Sequence, residues 1–283
     1  MMPFTLDAPA KLNLSLRVLS RRDDGFHEID SLMVKLPQLA DRLHFEPAAT
    51  FEFACDEPSL PTDESNLVVK AVHAYQAATQ IPCNCRISLT KHIPHAAGLG
   101  GGSSDAATTL LGLEQIHEGA LGPQQLTALA ASLGSDVAFF LTPGAARCSG
   151  RGEKIEPQPS PSALPVLLLK PAFAIATAEI YARWQGATAI PGIRYSRQEI
   201  QGLALVNDLE APVFQKYRFL AELKQWLLAR KEVAAALLCG SGSSMFAVLH
   251  PAADAHALAA AARLELDPGL WSWSGSTHGP SAL

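Results

Sequence analysis

Residues Ile93 to Ala107 read IPHAAGLGGGSSDAA, and the glycines Gly98, Gly100, Gly101 and Gly102 within them are well suited to holding an anion. Without a Cβ, the backbone N–H groups of such a run can approach a ligand closely. Where the run opens a helix, free N–H groups and the positive end of the helix dipole favour phosphate. Ser103 and Ser104 add hydroxyls able to bond phosphate oxygens. The same residues also describe a flexible turn followed by a serine-capped helix. The segment is neither of two common nucleotide loops: the chain has no G-x-x-x-x-G-K-[ST], and a G-x-G-x-x-G reading fails at Ser103.

Other polar residues carry less information alone. Asp136 follows Gly134 and reads as a helix cap, although a carboxylate can also take a proton from a reacting hydroxyl. Lys11 shares the polar face of an alternating strand with Asn13, a setting in which lysine is ordinarily solvated. Cys83 and Cys85, with His92 and His95 nearby, raise a metal reading. However, paired zinc cysteines are usually separated by two or more residues. Cys83, Cys85, Ile87 and Leu89 instead alternate with polar residues, as in a strand with one buried face.

These residues must be positioned by a mixed α/β chain. Leu12, Leu14, Leu16 and Val18 face one side of a first strand, and Arg21 to Gly25 form a polar turn. Further strands are expected near residues 29–36 and 43–53. Ser65 caps a helix showing Val68, Val72 and Tyr75 on one face. A strand over 83–89, a helix beginning near Ser103 and a helix through Leu126 and Leu133, ended by Gly134, follow. Pro157, Pro159, Pro161 and Pro165 mark a linker, after which Val166–Leu169 reads as a buried strand. A strand–loop–strand surrounds Gly240 and Gly242, and no repeat of fixed period occurs. Two domains are expected, residues 1–157 and 158–283.

The chain has 283 residues, 48% apolar and 17% charged, enough to bury a sizeable core. Its net charge of -5 argues against nucleic acid or an anionic membrane as main partner. No apolar run long enough to span a membrane and no secretion signal is read, and five scattered cysteines fit a reducing cytoplasm.

The Gly-rich segment resembles the central motif of the GHMP kinases. Pro9-Ala10-Lys11-Leu12-Asn13-Leu14 with Asp24-Gly25-Phe26-His27 resembles an N-terminal signature of that family, and Cys239 to Ser244 its C-terminal glycine motif. Leu133-Gly134-Ser135-Asp136-Val137 lies between the second and third blocks in the expected order. The resemblance implies a ribosomal-protein-S5-like N-terminal α/β domain that binds ATP, a ferredoxin-like C-terminal domain and a cleft between them. It implies Lys11 and Asp136 as the catalytic pair. It places ATP at Pro94, His95, Ala96, Ala97, Gly98, Leu99, Gly100, Gly101, Gly102, Ser103 and Ser104, with Asn66 and Lys91 near the adenine and Mg²⁺ as the ATP counterion. The branch most resembled acts on a cytidine-diphosphate-linked methylerythritol, which implies substrate contacts at Asn13, Phe26, His27, Thr177, Tyr181, Gly240, Ser241 and Gly242. Relatives commonly carry tyrosine at the Phe26 position. A small alcohol such as homoserine or mevalonate has no base to stack on that aromatic block. A catalytically silent nucleotide sensor would not need both Lys11 and Asp136. A cytoplasmic enzyme, monomeric or homodimeric, is expected.

Overall fold

The computed structural model describes residues 2–277. Its spine is an antiparallel hairpin of β1 (Phe4–Arg21) and β2 (His27–Pro47). The polar turn closes it, with Gly25 at φ 86° and the Asp24 carboxylate accepting the Phe26 N–H at 3.1 Å. The separate strands expected near residues 29–36 and 43–53 are largely one strand, β2. Residues 37–39 bulge from it opposite Pro9 and Ala10. Pro37 has no N–H for the ladder, and a bulge accommodates that lack.

Around the hairpin stand β3 (Glu52–Cys55), α1 (Leu67–Thr79), β4 (Cys85–Thr90), α2 (Gly101–Ile116) and α3 (Gly122–Leu133). A single 3₁₀ turn, Ala138–Leu141, leads into β5 (Ala145–Gly150) and β6 (Lys154–Gln158). Cys83 and Cys85 belong to the apolar core beneath these helices, and burial raises the Cys85 thiol to about 11. α2 starts at Gly101, two residues before the expected start. α1 is capped by Asn66 rather than Ser65, since Asn66 Oδ1 accepts the Val68 N–H at 2.9 Å. Gly134 ends α3 with extended backbone, not the left-handed conformation usual for a terminal glycine.

The second half supplies β7 (Pro165–Lys170), α4 (Thr177–Arg183), β8 (Gln198–Ile200), β9 (Leu203–Asn207), α5 (Glu210–Lys216) and α6 (Arg218–Leu228). It ends with β10 (Val233–Leu238), β11 (Met245–Leu249), α7 (Ala255–Glu265) and β12 (Trp271–Ser276). The first sheet runs β3-β4-β2-β1-β9-β8, with β5 on β2 and β6 on β5, while β10-β11-β7-β12 form an antiparallel second sheet. Thus β9, which follows the proline-rich linker, pairs in parallel with β1 and extends the first sheet.

The helices of the second half cover one face of its sheet around Leu169, Val213, Phe214 and Leu227. The other face, with Leu168, Leu237 and Phe246, packs on Leu12, Leu14, Val34 and Leu36 of the hairpin. β7 is therefore apolar on both sides, as its continuous run predicts. Lys11 and Asn13 point the other way and are still buried, at 4% and 2% exposure, because α2 and the glycine loop cover their face. Among the described residues no helix is long and apolar enough to cross a membrane.

Candidate active site at the glycine loop

A cavity of about 1000 Å³ opens beside Lys11 and Asn13 of β1, between the glycine loop, which forms one wall, and α4. The first helical N–H groups of α2 have no intrahelical acceptor, and Gly100, its cap residue, offers no side chain to satisfy them. Gly98 and Gly100 have φ of 77° and 73°, in the left-handed region that favours glycine, whereas Gly101 and Gly102 are already helical. The reasons for glycine differ along the loop. A Cβ on Gly98 would stand 2.0 Å from the Cys239 carbonyl oxygen, and one on Gly100 would stand 2.9 Å from both Lys11 Cγ and Phe140 Cζ. Close approach within the protein explains these two, while Gly101 and Gly102 begin the helix facing the cavity. Ser103 lines the cavity. Ser104 does not: it is wholly buried and its Oγ has no hydrogen-bond partner.

Lys11 comes to the cavity from β1, fixed by its backbone N–H donating to the Leu99 carbonyl at 2.9 Å. Its Nζ donates to Asn13 Oδ1 at 2.6 Å and lies 3.3 Å from Asp136 Oδ2. Asn13 is held in turn by donating to Ser31 Oγ at 2.8 Å, and Ser31 donates to the Ser15 carbonyl. The Lys11 side chain is 5% exposed and that of Asp136 is 29% exposed. Asp136 lies in the turn between α3 and the 3₁₀ segment, so the carboxylate presents an open edge beside a desolvated ammonium.

The opposite wall is aromatic. Phe26, in the hairpin turn, is 47% exposed, with the Arg151 guanidinium 4.9 Å from its ring centroid. His27 is packed against Tyr181 at 5.3 Å and edge-on to Trp184 at 5.8 Å. Burial, with Arg21 nearby, lowers the His27 pKa and keeps the ring neutral. Burial and the Asp136 charge raise the Tyr181 phenol, so it stays protonated. Thr177 and Ser241 share a hydrogen bond of 2.8 Å between their hydroxyls. Gly240 and Ser241 line the cavity and Gly242 does not. Ser244 N–H donates to the Ala97 carbonyl at 3.1 Å, so this second glycine loop packs backbone to backbone on the first.

The residues expected near the adenine are already engaged. Asn66 lines the cavity, yet its Oδ1 caps α1 and its Nδ2 donates to the Pro61 carbonyl at 2.7 Å. The Lys91 ammonium is held by Asp41 and, at 2.7 Å, by Asp105. No sequence motif assigns a role to Asp41, Asp105, Arg151 or Asn207. Asn207 donates to the Leu238 and Gly240 carbonyls at 2.9 and 2.7 Å and fastens the second glycine loop. Asp105 adjoins the glycine motif, and that position was the one available signal.

Residues 66–144 match the profile of the GHMP kinases N terminal domain, and residues 195–267 that of the GHMP kinases C terminal domain. A 4-diphosphocytidyl-2-C-methyl-D-erythritol kinase of Deinococcus radiodurans is 39% identical over 272 residues, covering 93% of this chain and 90% of that protein. The chain belongs to the GHMP kinase family. The chloroplastic/chromoplastic 4-diphosphocytidyl-2-C-methyl-D-erythritol kinase of Solanum lycopersicum is 37% identical over 260 residues, and the match spans 65% of that longer protein. A crystal structure of 4-(cytidine 5'-diphospho)-2C-methyl-D-erythritol kinase superposes with a TM-score of 0.78 at 33% identity, covering 98% of this chain and 100% of that one. Homoserine kinase from Cytophaga hutchinsonii, 16% identical with a TM-score of 0.65, shares the two-domain fold.

For a GHMP kinase, the residues present suit ATP. The unpaired N–H groups at the start of α2 offer donors to phosphate, and the Leu60, Pro61 and Leu67 side chains give that end of the cavity an apolar wall. Among the described residues no group of three or more His, Cys, Asp or Glu could hold a metal ion.

Proposed function

We propose that this chain is an ATP-dependent kinase that phosphorylates the C2 hydroxyl of 4-diphosphocytidyl-2-C-methyl-D-erythritol, releasing the 2-phosphate and ADP. This is a step of isoprenoid precursor biosynthesis by the non-mevalonate route. The observation that carries the reading is the Lys11–Asp136 pair, 3.3 Å apart, on the wall of a cavity with an anion-binding helix end on one side and Phe26, His27 and Tyr181 on the other.

Phosphoryl transfer demands alignment and charge stabilisation more than covalent chemistry from the protein. The open edge of Asp136 receives the proton of the acceptor hydroxyl as its oxygen bonds the γ-phosphorus and the bond to the β-bridging oxygen breaks. Lys11, anchored by Asn13, orients that carboxylate and stabilises negative charge developing on the hydroxyl oxygen. The N–H groups at the start of α2 hold the phosphates, with Ser103 beside them. Mg²⁺ arrives with the ATP and supplies neutralisation of phosphate charge.

Cytosine stacks on the ring of Phe26 that Arg151 backs, and the neutral His27 reads its edge. Cys55, Cys83, Cys85, Cys148 and Cys239 are all free thiols, which suits a reducing compartment, and we place the enzyme in the cytoplasm.

The test is ADP release with the cytidine-diphosphate-linked substrate and with free methylerythritol. Turnover should require the linked substrate. Equal turnover of the free alcohol, or none of either, overturns the assignment.

A further inference from the structure

Lys91, Asp41 and Asp105 form a buried cluster at the neck of the glycine loop. The chain enters the loop through Lys91, His92 and Ile93, and it leaves into the first turns of α2, which carry Asp105. Asp41 reaches in from β2. Its Oδ1 accepts the N–H groups of His92 and Ile93 at 2.6 and 2.8 Å, and its Oδ2 accepts the Lys91 ammonium. Asp105 Oδ2 accepts the same ammonium at 2.7 Å, while its Oδ1 is buried without a donor. One cluster thus ties both ends of the loop together.

Its formal charges do not balance. Two carboxylates face one ammonium, and the three side chains are only 0–9% exposed. Both carboxylates bond the one Lys91 ammonium, and two buried negative charges facing one positive charge favour a proton on one of them. Asp41 already has a partner for each oxygen, so Asp105 Oδ1 is the atom left to carry it. The remaining groups facing the cluster are the Cys55 thiol and the exposed Asp56, at the end of β3, and the exposed His92. None of these supplies a second buried cation.

We propose that Asp105 carries a proton in the resting enzyme, and that its neutral form keeps the neck of the loop closed, making Asp41 and Asp105 positioning residues for the ATP phosphates. The proposal rests on the ATP reading above. Burial raises the Asp105 carboxyl, the Lys91 charge opposes that rise and the Asp41 charge adds to it. The proton is therefore retained well above the ordinary carboxylate range and lost as pH rises through the raised value. Its loss sets two buried negative charges side by side and loosens the neck. Phosphates bound at the start of α2 favour the protonated form, so nucleotide binding draws protons from solution.

Titration calorimetry with a non-hydrolysable ATP analogue, in buffers of different ionisation heat from about pH 6 to about pH 9, reads this linkage directly. The wild type should take up part of a proton more than Asp105→Asn, whose amide supplies a donor and cannot ionise. Analogue affinity should weaken several-fold with rising pH in the wild type, and less in the variant. KM for ATP should follow the same profile with kcat nearly flat. Carboxyl ¹³C NMR of the unaltered protein gives an independent reading: Asp105 should titrate at a raised pH, and higher still with the analogue bound. Identical proton uptake in both proteins, or an Asp105 signal titrating in the ordinary carboxylate range, overturns the proposal. An analogue that fails to bind the wild type at any pH overturns the ATP reading instead.

Discussion

Two lysine–aspartate clusters flank the glycine loop. In one, the Lys11 ammonium meets one carboxylate, Asp136, which keeps 29% of its side chain exposed at the cavity. In the other, Lys91 meets two carboxylates whose side chains are 0% and 4% exposed. A third pair in the second half of the chain, Glu210 and Lys224 at 2.5 Å, matches one charge with one charge in full burial. The remaining Glu210 oxygen accepts the Leu238 N–H at 3.1 Å. Identical side-chain chemistry therefore serves three ends. An acid with an open edge can exchange a proton with a substrate, a balanced buried pair holds helices together, and an unbalanced buried cluster must hold a proton to be stable.

The largest expected effect comes from breaking the unbalanced cluster. Lys91→Met leaves two buried carboxylates without their cation and should cost about 3–5 kcal/mol of stability, the range for stranding a buried charge. Denaturant titration should show part of this loss recovered in acid. A carboxyl whose folded-state pKa is raised stabilises the fold when protonated, and that contribution is lost as pH rises through the raised value. Lys11→Met should cost far less stability, because Asp136 remains partly hydrated, and should abolish most turnover. Equal destabilisation by the two substitutions would erase the distinction between the clusters.

Next in size, Asp136→Asn should lower kcat by about 10²-fold or more, equivalent to about 2.7 kcal/mol, with thermal unfolding and ATP affinity near those of the wild type. Unchanged kcat would remove Asp136 from the chemistry.

The aromatic wall offers a smaller contrast. Phe26→Ala should weaken binding of the cytidine-linked substrate by about 1–3 kcal/mol, the usual loss on removing a stacking ring, while Phe26→Tyr should be nearly neutral. KM values for that substrate and for ATP decide it, since a change confined to ATP would move the cytidine site elsewhere.

The smallest effect concerns Asn66. Asn66→Ala should cost about 1 kcal/mol of stability through the lost cap, and Asn66→Ser should restore most of it. If Asn66→Ala instead raises KM for ATP without altering the unfolding temperature, the residue serves the nucleotide more than the helix.

Much of this was legible in the chain because it depends on neighbours in sequence. Alternation along Leu12 to Val18 marked β1, a continuous apolar run marked β7, and the glycine run before a helical pattern marked the start of α2. Local signals also misled locally: Ser65 and Asn66 are both good caps, and only the built turn selected Asn66.

What the order of residues settled is where strands and helices form and which residue types could bind phosphate or move a proton. Folding in three dimensions decided how those residues are solvated and what meets them. Gly98 requires glycine because Cys239, from the other half of the chain, places its carbonyl oxygen there. Lys11 reads as a solvated lysine until α2 covers its strand. Asp41 belongs to no motif and becomes the hub of the loop only when β2 brings it beside Lys91 and Asp105. Periodicity and turn chemistry act over a few residues, so the sequence displays them. Desolvation and the count of charges around a buried atom depend on groups that only folding brings together.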